Sequence, residues 1–231
     1  MNFATINQMP FKVTTAGLDK FYYRLRVEQF WFKEPETLSW IDDFDDVCLF
    51  WDIGANIGLY SLYCAYRHHG AIITAFEPFL PNYNRLKADI EANGWDNRIR
   101  AAYVAFSNET GMANFESKQQ TVGSSGGQIG SVSDFIPQNT NPVQVTTGDE
   151  YLHHDGCPNY VKIDVDGKEL QILQGMQQVL ENKALRGVLV EQNQDRKAIQ
   201  EILTRFDFVP DVAANRLKLR SDDYNTVWKR S

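Results

Sequence analysis

The chain has 231 residues, of which 43% are hydrophobic and 23% charged, and a formal net charge of −7. That length suits one well-filled α/β domain and is short for two, and the acidic balance excludes a general nucleic-acid binder, which needs a basic face to displace counterions. No stretch approaches the roughly 18 apolar residues of a membrane span, and the opening Met1-Asn2-Phe3-Ala4 lacks the basic and then apolar pattern of a signal peptide, so the expected location is cytoplasmic.

Residues 1–46 read as a helical, aromatic-rich N-terminal extension. Leu18, Phe21, Tyr22 and Leu25 repeat at the spacing of one helix face, and Phe30-Trp31-Phe32 and Trp40 follow. The expectation is that this helix packs on the sheet edge or in the seam of a homodimer, with a lid over an acceptor as the other reading.

From Val47 the pattern alternates. Strands are predicted at Val47 to Ile53, Ala71 to Phe76 and Ile99 to Phe106, with helices from Gly58 to His69 and from Asn82 to Ala92. Pro81 suits a first helical turn, and Asn93-Gly94 suits a helix stop. Residues 107–148 break the rhythm as an insertion, with a hairpin around Gly111 to Phe115, a Gly/Ser/Gln stretch over 119–133 and a returning strand at Val143 to Thr147. The glycine-rich stretch is expected to be a flexible flap over the acceptor or a solvated loop.

Alternation resumes with a strand from Tyr160 to Asp164, a helix from Lys168 to Leu180, a strand from Leu185 to Val190 and a helix from Lys197 to Phe206. Phe208-Val209 and Asn225 to Lys229 suit a closing antiparallel pair. Such alternation forces parallel pairing through helical crossovers. Residues 47–231 therefore read as an α/β domain with a Rossmann-like, doubly wound, mostly parallel sheet of about seven strands, carrying its ligands at the strand C-termini.

The most telling run is Asp52-Ile53-Gly54-Ala55-Asn56-Ile57-Gly58, a glycine turn between a strand and a helix. About 20 residues further on, Glu77 ends the next strand, where a carboxylate can hold ribose hydroxyls. The turn departs from the dinucleotide form, because Asp52 precedes it and Ala55-Asn56 fill its middle. A carboxylate there repels phosphate and attracts an amino group, while the adjoining helix N-terminus can receive a carboxylate. Adenosine at one end and a zwitterionic amino acid at the other describe S-adenosylmethionine.

Together with Ala75-Phe76-Glu77-Pro78, Val161-Lys162-Ile163-Asp164-Val165-Asp166-Gly167 and Leu189-Val190-Glu191, this run resembles the FkbM family of S-adenosylmethionine-dependent methyltransferases, a class I fold, over roughly residues 47–191. The resemblance implies that Asp52, Gly54 and Asn56 line the methionine end of the cofactor, that Gly58 lets the helix approach the sheet, and that Glu77 holds the ribose. It further implies that Phe106 and Ser107 contact adenine and that Asp164 lies beside the sulfonium. Family members methylate hydroxyl oxygens of sugars or polyketide-type compounds, so the implied activity is O-methyl transfer to a small molecule, sugar or glycan. The family usually has Glu where this chain has Asp166, and a small residue where it has Lys168.

Transfer to a hydroxyl needs alignment, a dry site and a proton acceptor or a metal. Asp164 and Glu191 end neighbouring strands and are the catalytic candidates; Asp166 could be a base, a helix cap or a metal ligand with Asp164. Oxygen ligands would suit Mg²⁺ or Ca²⁺, but no metal site is assigned. Cys48, Cys64 and Cys157 lack metal-ligand spacing, and Cys48 and Cys64 read as core residues. His68-His69 read as a helix end, and His153-His154 as part of a turn with one ring in reach of the crevice. The competing functional readings are an NAD-type oxidoreductase and a non-catalytic domain that keeps the cofactor pocket.

Overall fold

The computed structural model describes residues 9–14, 21–117, 121–133, 141–192, 195–217 and 225–231. Its centre is a seven-stranded sheet built from β1 (Leu49–Ile53), β2 (Ile72–Phe76), β3 (Ile99–Ala102), β8 (Tyr160–Ile163), β9 (Gly187–Glu191), β10 (Phe208–Pro210) and β11 (Asn225–Arg230). The order across the sheet is β10-β11-β9-β8-β1-β2-β3. β3, β2, β1, β8 and β9 pair in parallel, and β11 runs antiparallel to both β9 and β10.

Strand residues alternate between two buried layers, as a sheet covered on both faces requires. Phe50, Ile73 and Leu189 pack toward α1 (Phe21–Lys33), α2 (Pro35–Asp42), α3 (Leu59–Arg67) and α4 (Leu80–Asn93). Trp51, Ile163 and Val190 face α6 (Glu169–Gln174), α7 (Gln177–Glu181) and α8 (Arg196–Arg205). The stop expected at Asn93-Gly94 is a left-handed Gly94 with φ 68°. No helix among the described residues is long and apolar enough to cross a membrane.

Four local expectations are corrected. The long third strand is two: after Ala102 the chain turns, and β4 (Ala105–Phe106) starts a second sheet, ordered β4-β7-β5-β6, with β5 (Gly111–Glu116), β6 (Gln128–Ile129) and β7 (Pro142–Thr146). The residues before β8 form α5 (Gly148–Asp155), capped by the Thr147 hydroxyl accepting from Glu150 N–H at 3.0 Å. His153 and His154 therefore occupy a last helical turn, where expectation put an irregular turn. The helix expected from Lys168 to Leu180 is two, parted at Gly175, where the chain passes so close to the Ser107 carbonyl that a side chain would collide with it.

The fourth concerns α1, which buries Tyr23, Val27 and Phe30 and leaves Phe21 61% exposed; Leu18 lies outside the described residues. The buried face is chosen by partners distant in sequence. Phe30 meets Phe11 edge-to-face at 6.0 Å and Tyr63 at 5.7 Å, and Tyr23 donates to the Thr14 carbonyl at 2.6 Å. At the other end of the chain, α9 (Val212–Asn215) packs beside β11, which Asn215 brackets by bonding both Val227 N–H and its carbonyl.

Candidate functional site

Parallel register brings the C-terminal ends of β1, β2, β8 and β9 to one edge, since Ile53 stands opposite Phe76 and Ile163, and Ile163 opposite Val190. The next residues along each strand are thereby gathered: the turn from Gly54, then Glu77, Asp164 and Glu191. Gly54 has φ 80°, and a Cβ on it would meet the Asp164 carbonyl at 2.0 Å. Only glycine admits that approach of two backbones.

Every backbone N–H from Gly54 to Gly58 already has an acceptor in the protein. Gly54 and Ala55 donate to the Phe76 carbonyl at 3.0 and 2.9 Å, and Gly58 donates to the Ala55 carbonyl at 2.8 Å. Asn56 N–H donates to Glu77 Oε2 at 2.8 Å, and Ile57 N–H to the side-chain oxygen of Asn56 at 3.0 Å. The turn itself therefore has no N–H left for a ligand; the helix N-terminus expected to receive a carboxylate begins after it, at Leu59.

Glu77 also accepts from Phe79 N–H at 2.9 Å. Burial pushes its carboxyl up to about 7, against the pull of those two N–H groups and of Arg26. Gly58, at φ 81°, relates helix to helix: a Cβ would meet Leu86 Cδ1 of α4 at 2.1 Å, so the glycine lets α3 start against α4 where the expectation was an approach to the sheet.

Asp52 is fully buried and turned away from the cleft, accepting from the Ser61 hydroxyl at 2.7 Å with the Lys162 ammonium at 3.7 Å. It lines none of the three cavities described below, which corrects its expected place against the methionine end. Lys162, 1% exposed, donates to Asp164 Oδ2 at 2.8 Å and lies 5.1 Å from the centre of the Tyr60 ring. Burial alone would lower the lysine's pKa; Asp164 and Asp52 beside it raise it, so it stays charged. For Asp164 burial would raise the pKa, but Lys162, Lys33 and Arg26 bring it down to about 2.

Glu191 is the opposite case. Burial first, then the charges of Asp164, Glu169 and Asp166, push it up to about 8, and its Oε2 is buried without a hydrogen-bond partner. It stands beside these acids but lines none of the three cavities. Asp166 does not cap the helix that follows, whose start at Lys168 has no side-chain cap; Glu169 instead ties the preceding loop, accepting from Gly167 N–H at 3.0 Å and Val165 N–H at 3.3 Å. Asp166, with φ 58°, accepts from Gly126 N–H at 2.6 Å. Among the described residues no group of three or more His, Cys, Asp or Glu is arranged to hold a metal ion.

Three cavities run along this edge and share Gly54. The first, about 420 Å³, is bounded by Arg26, Lys33, Tyr60, Lys162 and Asp164. The middle one, also about 420 Å³, holds Asn56, Glu77, Asn82 and Asp164. The third, about 360 Å³, is an apolar slot of Phe76, Val104, Phe106, Phe115 and Ile129, with Lys168 at its wall. Phe106, expected from the resemblance to contact adenine, lines this slot. Ser107 lines none of the three cavities; its hydroxyl donates to Asn108 and its carbonyl packs on Gly175.

The described part of the glycine-rich stretch is tied across these cavities. The Ser124 carbonyl accepts from Asn56 Nδ2 at 2.9 Å and Asn82 Nδ2 at 3.3 Å, and the Gly123 carbonyl accepts from Arg26 Nε at 2.5 Å. His153 and His154, one of which is expected within reach of the crevice, sit in the last turn of α5, where the His154 ring packs 5.3 Å from Tyr151. His68 follows the last residue of α3, at the helix end expected, and is buried with Nε2 2.7 Å from the Ile41 carbonyl of α2.

Sequence reasoning gave no role to Arg26, Lys33, Tyr60 or Lys162. Lys162 had a readable signal, a cation inside the apolar strand Tyr160-Val161-Lys162-Ile163, since a lysine is almost never fully buried unless paired. The other three are surface-type residues by composition, and only the docking of α1 brings Arg26 and Lys33 to the cleft.

A profile of the Methyltransferase FkbM domain matches residues 52–224. Over 189 residues the chain is 26% identical to the hexuronic acid methyltransferase AglP of Haloferax volcanii, covering 80% of this chain and 71% of that protein. Among solved structures it is similar to the methyltransferase FkbM of Methylobacillus flagellatus, with a TM-score of 0.54 at 15% identity, over 80% of this chain; it spans only 44% of that protein's length. The precorrin-6y C5,15-methyltransferase of Geobacter metallireducens matches with a TM-score of 0.52 at 15% identity, over 86% of each chain. At such identities the structural matches show a shared Rossmann-like methyltransferase fold.

Proposed function

As the chain belongs to the FkbM methyltransferase family, we propose that it is an S-adenosylmethionine-dependent O-methyltransferase acting on a sugar, a glycan or another hydroxylated small molecule. The observation that carries this reading is the sequence of cavities around Gly54: a cation-bounded space, a space holding the Glu77 carboxylate and an apolar aromatic slot. An amino-acid carboxylate, a ribose and an adenine need those three environments in that order. The similarity to a hexuronic acid methyltransferase supports a sugar acceptor.

When bound, the cofactor would supply an electrophilic methyl carbon on a sulfonium. Glu77 would accept from the ribose hydroxyls, and Phe106 and Phe115 would enclose the base. Asp164, held ionised by Lys162 across the neutral range, suits a fixed negative charge beside the sulfonium and is too weak a base to take an alcohol proton. Glu191, with its raised proton affinity, suits that second task. Two neighbouring carboxylates whose surroundings separate their pKa values divide the work between an ion and a proton acceptor.

A dinucleotide fares worse, because the pyrophosphate of NAD needs N–H groups that the turn from Gly54 to Gly58 has already committed. Calorimetric titration tests the choice: S-adenosylhomocysteine should bind and NADH should not, and the reverse would sink the proposal. Methyl transfer is then read by mass spectrometry on neutral and uronic sugars.

A further inference from the structure

We propose that Arg26 and Lys33 of α1 form the subsite for the cofactor's amino-acid carboxylate, so that the N-terminal helix is part of the cofactor site. The inference rests on the cofactor assignment above and adds an anchor outside the strand-end motifs. A carboxylate entering the cleft needs donors or positive charge, and three observations restrict where it finds them.

The glycine turn offers no N–H from Gly54 to Gly58, each being bonded within the protein. Lys162, the deepest cation of the first cavity, already serves Asp164 at 2.8 Å and Asp52 at 3.7 Å. Arg26 and Lys33 bound the same cavity, each about one helical turn from a residue that packs α1 on the core, Arg26 from Tyr23 and Lys33 from Phe30. Arg26 uses Nε for the Gly123 carbonyl, and Lys33 uses one donor for Glu34 at 2.5 Å. A guanidinium has five N–H donors and an ammonium three, so each keeps capacity for a ligand oxygen.

Their placement is electrostatically central. The charge of Arg26 acts on both Glu77 and Asp164, and that of Lys33 on Asp164. A ligand stretched from the apolar slot past Glu77 to Asp164 therefore ends beside these two cations.

The test compares two ligands by calorimetry on the full chain. S-adenosylhomocysteine carries the carboxylate, whereas 5′-methylthioadenosine has the same nucleoside and a sulfur but no amino acid. Arg26→Ala and Lys33→Ala should each weaken S-adenosylhomocysteine about 10- to 100-fold, the range for a hydrogen bond to a charged group, while leaving methylthioadenosine unchanged. Arg26→Lys should restore part of the loss. Undiminished S-adenosylhomocysteine affinity would overturn the inference and hand the cations to the acceptor. An equal loss for both ligands would also overturn it, assigning Arg26 to holding the Gly123 loop. If the wild-type chain bound neither ligand, the cofactor assignment itself would fall.

Discussion

The ammonium of Lys162 donates to the carboxylate of Asp164 at 2.8 Å from the middle of β8, and Asp52 on the adjacent strand β1 lies 3.7 Å from the same nitrogen. One buried cation thus compensates two acids, one of them fully buried. Removing one partner of a buried pair costs about 3–5 kcal/mol, because the remaining charge loses its compensation.

Lys162→Met should therefore lower the melting temperature by about 6–20 °C, at the 2–4 °C per kcal/mol expected of a chain this size. Adding Asp52→Asn should recover part of the loss. A Lys162→Met protein that melts within about 2 °C of wild type would show that the cation is dispensable.

The pH profile tests the proton acceptor. Glu191 is protonated below about 8 and ionised above it, so kcat/KM for a hydroxyl acceptor should rise with pH and level off beyond that value. A cation bound nearby would move the limb down in the kcat profile. Glu191→Gln should reduce kcat by about 10²- to 10⁴-fold and abolish the limb without changing S-adenosylhomocysteine affinity. Retention of the full limb in this variant would assign it to another group.

Glu77 links cofactor affinity to stability. Its folded pKa of about 7 lies above the ordinary 4.5, so as pH rises through that interval the unfolded chain ionises first. The free protein should lose stability relative to Glu77→Gln between about 4.5 and 7. The same variant should bind S-adenosylhomocysteine more weakly, since its amide has one acceptor oxygen where Glu77 uses two. Calorimetry showing equal affinity would refute the ribose assignment.

Two glycines with the same φ should respond differently. Gly58→Ala adds left-handed strain of about 1–2 kcal/mol and presses on a Leu86 methyl, which can turn aside. Gly54→Ala adds that strain and a collision with the Asp164 backbone. The expected order in chemical denaturation is wild type, then Gly58→Ala, then Gly54→Ala, with cofactor affinity lost chiefly in the last. An inverted order would mean that Asp164 yields more easily than Leu86.

What the sequence makes legible follows from how local each cause is. The strands ending at Ile53, Phe76 and Ile163 are written in apolar runs, and the start of α4 at Pro81 and its stop at Gly94 in single residues with one backbone preference. Gly54 is readable as a turn, but the commitment of its N–H depends on Phe76, a residue of the neighbouring strand. Asp52 has the right type and place for a ligand group, yet it is turned to Ser61 and Lys162. The need for glycine at 175 is set by the backbone at Ser107, and the buried face of α1 by Phe11, Thr14 and Tyr63. These causes lie in tertiary packing, which periodicity does not encode.

The strand order also divides the sheet into two parts with different dependence on the end of the chain. Among the described residues β10 has β11 as its only neighbour in the main sheet, so β10 is joined to that sheet through β11, which pairs in turn with β9. The parallel half from β3 to β9 is connected through crossovers complete within residues 49–191. Glu191 stands opposite Asn225, the first residue of β11. The cofactor side of the cleft is thus built from strands that need no contribution from β11, whereas the surroundings of Glu191 are complete only when β11 is paired with β9.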